Sequence, residues 1–195
     1  MLRKSIWWAV IVVAFLAVFS LGLIRAHQRR ADADIADGQK AASITISSSN
    51  FADGDRIPKK FTCDGDGLSP DIKLPLQPAG TKGFALVMDD PDAGGFVHWL
   101  VYNIPTSTRD ISEGASSRLQ LPAGSEEGTN SLNKVGYFGP CPPNSKPHHY
   151  IFRLYALDVD LDLPAGQTKK QLAAAVEGHV LAEGQMTGLY TRGGG

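Results

Sequence analysis

Three carboxylates and a histidine lie within ten positions in the stretch Asp89-Asp90-Pro91-Asp92-Ala93-Gly94-Gly95-Phe96-Val97-His98. Pro91 fixes one backbone angle and the two glycines permit positive φ, so the stretch reads as a rigid acidic turn with His98 opening the strand that leaves it. A second polar cluster follows further along, Gly139-Pro140-Cys141-Pro142-Pro143 and then His148-His149-Tyr150. If the two clusters face each other across one pocket, their chemistry suits a small anion. A charged imidazole donates from both ring nitrogens, and Tyr150 brings a hydroxyl. Backbone N–H groups near Gly139 add donors where a ligand can come close. Asp90 does not bind an anion directly. It can orient a neighbouring imidazole by accepting its other N–H, or pair with the amine of a zwitterion.

Plainer roles compete for the same residues. His98 also fits a structural histidine bonded to a carbonyl, and the aspartates fit ordinary turn positions. His148 and His149 follow Pro147 and fit solvated positions; only His148 shares a strand face with Tyr150. His179 fits a packed position on a helix. Asp64 and Asp66 sit in a DGDG run, but neither calcium-loop spacing nor a later bidentate Glu accompanies them.

The elements that must position these groups are mostly strands. Ile44, Ile46 and Ser48 alternate with their neighbours, so the domain should open with a strand. Lys59 to Cys63 reads as short and extended, and Ile72, Leu74 and Leu76 alternate along an edge strand containing Pro75. Phe84 to Met88 is a short apolar run that fits a buried strand, and Val97 to Asn103 fits its partner. A short strand is expected near Arg118 to Leu121. His149 to Leu157 is the clearest strand, with His148, Tyr150, Phe152, Leu154 and Ala156 on one face. One helix is expected, capped by Thr168 and running from Gln171 to Glu183 with Gly184 as C-cap; Leu172, Ala175, Val176, His179 and Val180 form its stripe. A final strand through Met186 and Tyr190 would follow. Strands and turns dominate without strand–helix alternation, which predicts an antiparallel sandwich with one appended helix.

The chain has 195 residues and a net charge of −1, enough for one ordinary domain plus an appendage. No basic stripe is present, so nucleic acid is not an expected partner. Ser5 to Ile24 carries no charge and is almost wholly apolar, about twenty residues and long enough to span a bilayer. Residues 1–24 therefore read as a transmembrane anchor. A cleaved signal stays open as the alternative, because Ala31-Asp32-Ala33 offers a small-residue site. Either reading exports the rest, to the outer side of the cytoplasmic membrane or the periplasm. Residues 25–42 read as a polar linker, 43–192 as the globular domain and 193–195 as a frayed tail. An exported domain sits in an oxidising compartment, where Cys63 and Cys141 are expected to form a disulfide.

The ordered motifs resemble the phosphatidylethanolamine-binding protein family, also called Raf kinase inhibitor-like proteins, in its bacterial branch. The matching residues are Cys63-Asp64-Gly65 with Ser69-Pro70; Asp90-Pro91-Asp92-Ala93 with His98-Trp99; Gly139-Pro140-Cys141-Pro142-Pro143; and His148-His149-Tyr150 leading to Leu154-Tyr155-Ala156-Leu157. The resemblance covers about Ile44 to Tyr190. It implies a mainly β, Greek-key sandwich of two sheets with an anion pocket at one end, taking phosphate or a phospholipid headgroup. Carried over, the pocket comprises Asp90, Asp92, His98, Gly139, Pro140, His148 and Tyr150, with Trp99 close by. One departure stands out: Gly94 occupies the place of a proline that usually ends the family's acidic turn.

Three functions follow as expectations. The first is a membrane-tethered receptor for small anions or phospholipid headgroups, without cofactor or metal. The second is an enzyme using Asp90, His98 and His148 for acid–base or metal-assisted chemistry. No nucleophile elbow, HExxH or P-loop supports a named reaction. The third is an inhibitor acting on a partner protein.

Overall fold

The computed structural model of the protein describes residues 41–116, 120–143 and 146–193. The expected anchor at 1–24, nearly all of the linker and part of the strand expected near Arg118 to Leu121 lie outside the described residues. Among those residues, no helix is long and apolar enough to cross a membrane.

The strands in chain order are β1 (Ala42–Ser43), β2 (Ile72–Lys73), β3 (Gly83–Asp90), β4 (Phe96–Pro105), β5 (Asp110–Ile111), β6 (Glu126–Glu127), β7 (His148–Leu157) and β8 (Val180–Tyr190), with one helix, α1 (Lys169–Val176), before the last. Six strands form one sheet in the order β1-β8-β7-β3-β4-β6, and β2 pairs with β5 in a separate ribbon. All neighbours are antiparallel except β1 and β8. The described residues are therefore mainly β with a single α-helix, as expected. The layer facing the large sheet carries a two-stranded ribbon and irregular chain.

The sheet is covered on both faces, which explains why Phe84 to Met88 is apolar without alternation. Every residue of β3 is buried. Phe84, Leu86 and Met88 join a large core with Trp99, Phe152, Leu154 and Met186, against the ribbon and the chain from Ile46 to Phe61. Ala85 and Val87 join a smaller core with Leu100, Tyr102 and Leu172 of α1. On β7 the expected inward face, His148, Tyr150, Phe152, Leu154 and Ala156, is buried throughout.

Several expectations fail locally, each for a physical reason. The helix spans Lys169 to Val176 rather than reaching Glu183. Thr168 does cap it: Gln171 N–H donates to the threonine hydroxyl, and the Gln171 side chain accepts the Thr168 N–H in return. Gly178, at φ +78°, then turns the chain, and Val180 to Glu183 enter β8. Gly184 is a mid-strand residue and no helix cap. A Cβ there would stand 2.1 Å from the Ile44 carbonyl oxygen, so only glycine lets the two backbones approach. His179 is exposed and pairs with Asp158 at 2.8 Å instead of packing on a helix. Lys59–Phe61 forms a 3-10 turn rather than extended chain, with Phe61 buried beneath it. Ile72 and Leu74 are buried as expected, but Leu76 is 79% exposed because the ribbon ends at Lys73. No strand forms over the alternating stretch Ile44 to Ser48: β1 ends before it at Ser43, and only an isolated bridge from Ser47 to Lys73 falls within it.

Candidate functional site

The inward rows of β3, β7 and β8 are apolar along most of their length and turn polar at one end. Met88 is followed by Asp90, Phe152 is preceded by Tyr150 and His148, and Met186 leads to Tyr190. Across the ladder His148 lies opposite Tyr190. The candidate site is this polar end of the large core.

His98 reaches it through an irregularity in β4. In the β3–β4 ladder Met88 faces Trp99 and Asp89 faces Val97, so His98 is the extra residue of a β-bulge. Simple alternation would send it to the helix side with Leu100 and Tyr102. The bulge instead places it against Tyr150, at 5.1 Å between ring centroids and nearly perpendicular. Phe138 stacks on its other side at 5.7 Å.

The acidic turn is built as the sequence suggests, although Asp89 and Asp90 still belong to β3. Pro91–Ala93 makes one 3-10 turn, and Asp90 Oδ1 accepts the Ala93 N–H at 3.0 Å. Gly94 ends the turn at φ +68°, which a proline could not adopt, so the departure from the family pattern has a conformational counterpart. The other Asp90 oxygen accepts from His148 Nδ1 at 2.8 Å, and both side chains are almost fully buried. Asp89 points to the opposite face, where it pairs with Arg153 at 2.6 Å and with Lys169 of α1.

Asp92 is brought to the rim rather than inside. Its Oδ2 accepts both the backbone N–H and ring Nδ1 of His149 at 2.8 Å, and those bonds hold its carboxyl below the usual range. Gly139 and Pro140 follow Phe138 and pack against the loop after Phe61. A Cβ on Gly139 would meet the Phe61 carbonyl oxygen at 2.7 Å, so glycine is needed there for loop packing. The Pro140 carbonyl accepts the Cys63 N–H at 3.1 Å. The disulfide Cys63–Cys141 is formed and joins these same two loops, with Cα atoms 5.4 Å apart. Trp99 donates its indole N–H to the buried Glu127 at 2.6 Å and belongs to the core.

Two contributors escaped the sequence reading. One is the Phe138 carbonyl, which lies 2.7 Å from His98 Nδ1. A carbonyl can only accept, so His98 carries its proton on Nδ1 and Nε2 is left as an acceptor. The other is Tyr190, whose hydroxyl donates to Asp64 at 2.8 Å, while Arg192 binds the same carboxylate at 3.2 Å. Period-two reading of the last strand would have found Tyr190 in register with Ala182 and Met186.

Burial dominates the electrostatics. Desolvation lowers the His98 pKa below its ordinary 6.5, against the raising effects of the Phe138 carbonyl, Asp90 and Asp89. Burial thus favours the neutral form of His98. The Tyr150 hydroxyl is pushed well above its usual range, first by burial and then by the nearby Asp90 carboxylate. Asp90 lies close to it without reaching hydrogen-bond geometry, and this hydroxyl is buried without a hydrogen-bond partner among the described residues. No group of three or more His, Cys, Asp or Glu side chains is arranged to hold a metal ion among the described residues. A cavity of about 480 Å³ opens at the far end of β3, lined by Lys82, Asn103, Asp160 and Asp162 among others, and includes none of these site residues.

Comparisons with known proteins agree with this architecture. The model of the phosphatidylethanolamine-binding protein family matches residues 47–191. A UPF0098 protein of Methanothermobacter thermautotrophicus is 44% identical over 152 residues, covering 77% of this chain and 100% of that protein. A Mycobacterium tuberculosis protein, LppC, named as a candidate lipoprotein, is 41% identical over 77% of this chain and 73% of its own. Among solved structures, CT736 of Chlamydia trachomatis, a candidate homologue of the same family, superposes with TM-score 0.71 at 35% identity, covering 78% of this chain and 99% of that one. Escherichia coli YbcL, described as a member of the mammalian family, gives TM-score 0.71 at 28% identity over 77% of this chain and 99% of its own. The match over most of the globular part shows that the chain belongs to the phosphatidylethanolamine-binding protein family.

Proposed function

We propose that the domain binds a small anion, phosphate or a phospholipid headgroup, in the pocket of Asp90, His98, His148 and Tyr150, with Gly139 and Pro140 as its wall and Asp92 at its rim. The observation that carries this is the polar end of the core, where Asp90 holds His148 at 2.8 Å and the Tyr150 ring stands against His98 and His148 with its hydroxyl lacking a hydrogen-bond partner among the described residues. An unpaired buried donor costs free energy, on the order of 1–3 kcal/mol, and an anion that accepts from it would recover that cost. His148, oriented by Asp90 through Nδ1, directs its second nitrogen to the same task.

The binding reading places the protein outside the cytoplasmic membrane, held by residues 1–24. The apolar run Ser5 to Ile24 supports this, as does the lipoprotein name of one relative. The Asp90–His148 pair is also the geometry of an acid–base dyad, so the second reading is an enzyme. Titration of phosphate or phosphoethanolamine against the histidine ring signals tests the first reading. Shifts at His98 and His148 are expected, and their absence would remove it. A stoichiometric transition metal in the purified domain would favour the enzyme.

A further inference from the structure

We infer that the cavity at the far end of β3 binds a small zwitterion with an apolar body, the chemistry of a free amino acid or short peptide with an aliphatic side chain. This site is separate from the polar end of the core. The 8 residues of β3 lie between the two, from Gly83 to Asp90, a distance of roughly 23 Å.

The cavity measures about 480 Å³, within the range of small-molecule pockets. Its floor is apolar, with Phe84, Ile104 and Leu157 reaching it from β3, β4 and β7. These strands meet there because Gly83 pairs with both Pro105 and Leu157. Val159 and Leu161 add aliphatic surface from the segment after β7.

Three charged side chains line the same cavity: Lys82, Asp160 and Asp162. All three residues are exposed, and none of these side chains makes a hydrogen bond or ion pair among the described residues. Opposite charges therefore border one space without neutralising each other. The acceptors come from one segment. Asp160 and Asp162 follow β7, and the Val159 carbonyl beside them accepts no hydrogen bond among the described residues. That oxygen lies 4.0 Å from where a Cβ on Gly83 would stand, so it borders the space left by the missing side chain. The cation comes from a different segment, just before β3. A ligand ammonium suits the first side and a ligand carboxylate the second. A plain amine would leave Lys82 unmatched, and a plain carboxylic acid would leave the acceptors unmatched.

The acceptor side is held firmly against β4. Asn103 grips Leu163 in both directions, its Nδ2 donating to the carbonyl at 2.8 Å and its Oδ1 accepting the N–H at 3.3 Å. The Tyr102 hydroxyl donates to the Pro164 carbonyl at 2.9 Å and accepts the Gln167 N–H at 3.1 Å. Asn103 and Asp162 sit at φ 54° and 44°, two of the three non-glycine residues with positive φ among those described. Such backbone is costly and persists where its surroundings enforce it. A wall fixed in advance lowers the ordering cost of binding.

The test uses the full-length protein and three probes with one aliphatic body: leucine, its decarboxylated form 3-methylbutylamine and its deaminated form 4-methylpentanoate. Chemical-shift titration should show leucine moving the backbone N–H signals of Lys82, Asn103 and Asp160. Leucine should bind roughly tenfold or more tightly than either singly charged probe, the range for a hydrogen bond to a charged group. Asparagine tolerates positive φ, so Asp160→Asn/Asp162→Asn should keep the fold. That variant should weaken leucine roughly tenfold and leave 4-methylpentanoate unchanged. Lys82→Gln should weaken leucine and leave 3-methylbutylamine unchanged. Leucyl-leucine separates the sources: tighter binding than leucine supports a peptide ligand, and weaker binding supports a free amino acid.

Equal affinity for leucine and either singly charged probe overturns the inference, as does unaltered leucine affinity in Lys82→Gln. Signals at Lys82, Asn103 and Asp160 that stay in place with every probe overturn the site itself. Neither result bears on the anion reading, which phosphate titration tests at the opposite end of β3.

Discussion

One carboxylate, Asp90, holds His148 at 2.8 Å through one oxygen while the other caps the turn that follows it. The partner of a buried imidazole and the anchor of the turn are the same residue, so the acidic turn and the His148 end of β7 are held as one unit. Asp90→Ala should remove both bonds and leave a buried imidazole unpaired. The expected loss is about 2–4 kcal/mol of stability, combining a lost cap with an unsatisfied buried group. Urea denaturation checks it. A loss below half a kcal/mol would mean that solvent replaces both contacts.

His98 should give the domain an acid-sensitive stability. Its folded pKa lies below 6.5, so the unfolded chain binds a proton that the native state resists. Stability is then fully present above the unfolded value and falls as pH drops from about 6.5 toward the lowered folded pKa. His98→Asn should flatten that slope in thermal melts across the same window. An unchanged slope would place the sensitivity elsewhere.

The disulfide closes a span of 78 positions and ties the loop after Phe61 to the loop that carries Phe138. Its removal in Cys63→Ser/Cys141→Ser should cost about 4 kcal/mol by the chain-entropy relation. Because Phe138 backs His98, phosphate affinity should fall in the same variant under conditions where it remains folded. Native-like affinity there would show that the sheet alone positions His98.

Gly184 lies where β8 passes the Ile44 carbonyl, with only 2.1 Å available to a Cβ. Gly184→Ala must displace backbone, and a cost of about 3 kcal/mol is expected. Gly178→Ala should cost less, about 1 kcal/mol, since space is open there and only the positive φ resists. Comparing the two melting temperatures checks the order.

The sequence alone determined the mainly β class, the inward face from His148 to Ala156, the Thr168 cap and the rigid acidic turn. Each depends on periodicity or on the conformational limits of Pro and Gly, which are local properties. The same properties misled where tertiary contacts prevailed. The apparent helix beyond Gly178 is a strand because its inward positions, Ala182, Gly184 and Gly188, are small, and that hides the period of two. Gly184 and Gly188 carry no side chain because Ile44 and Ile57 occupy the space. Which way His98 faces could not be read from spacing, since one extra residue in the β3–β4 register reverses it. The Phe138 carbonyl that fixes a proton on Nδ1 comes from chain forty positions away. Local pattern names the groups that can do chemistry, whereas packing decides which of their atoms are left free to do it.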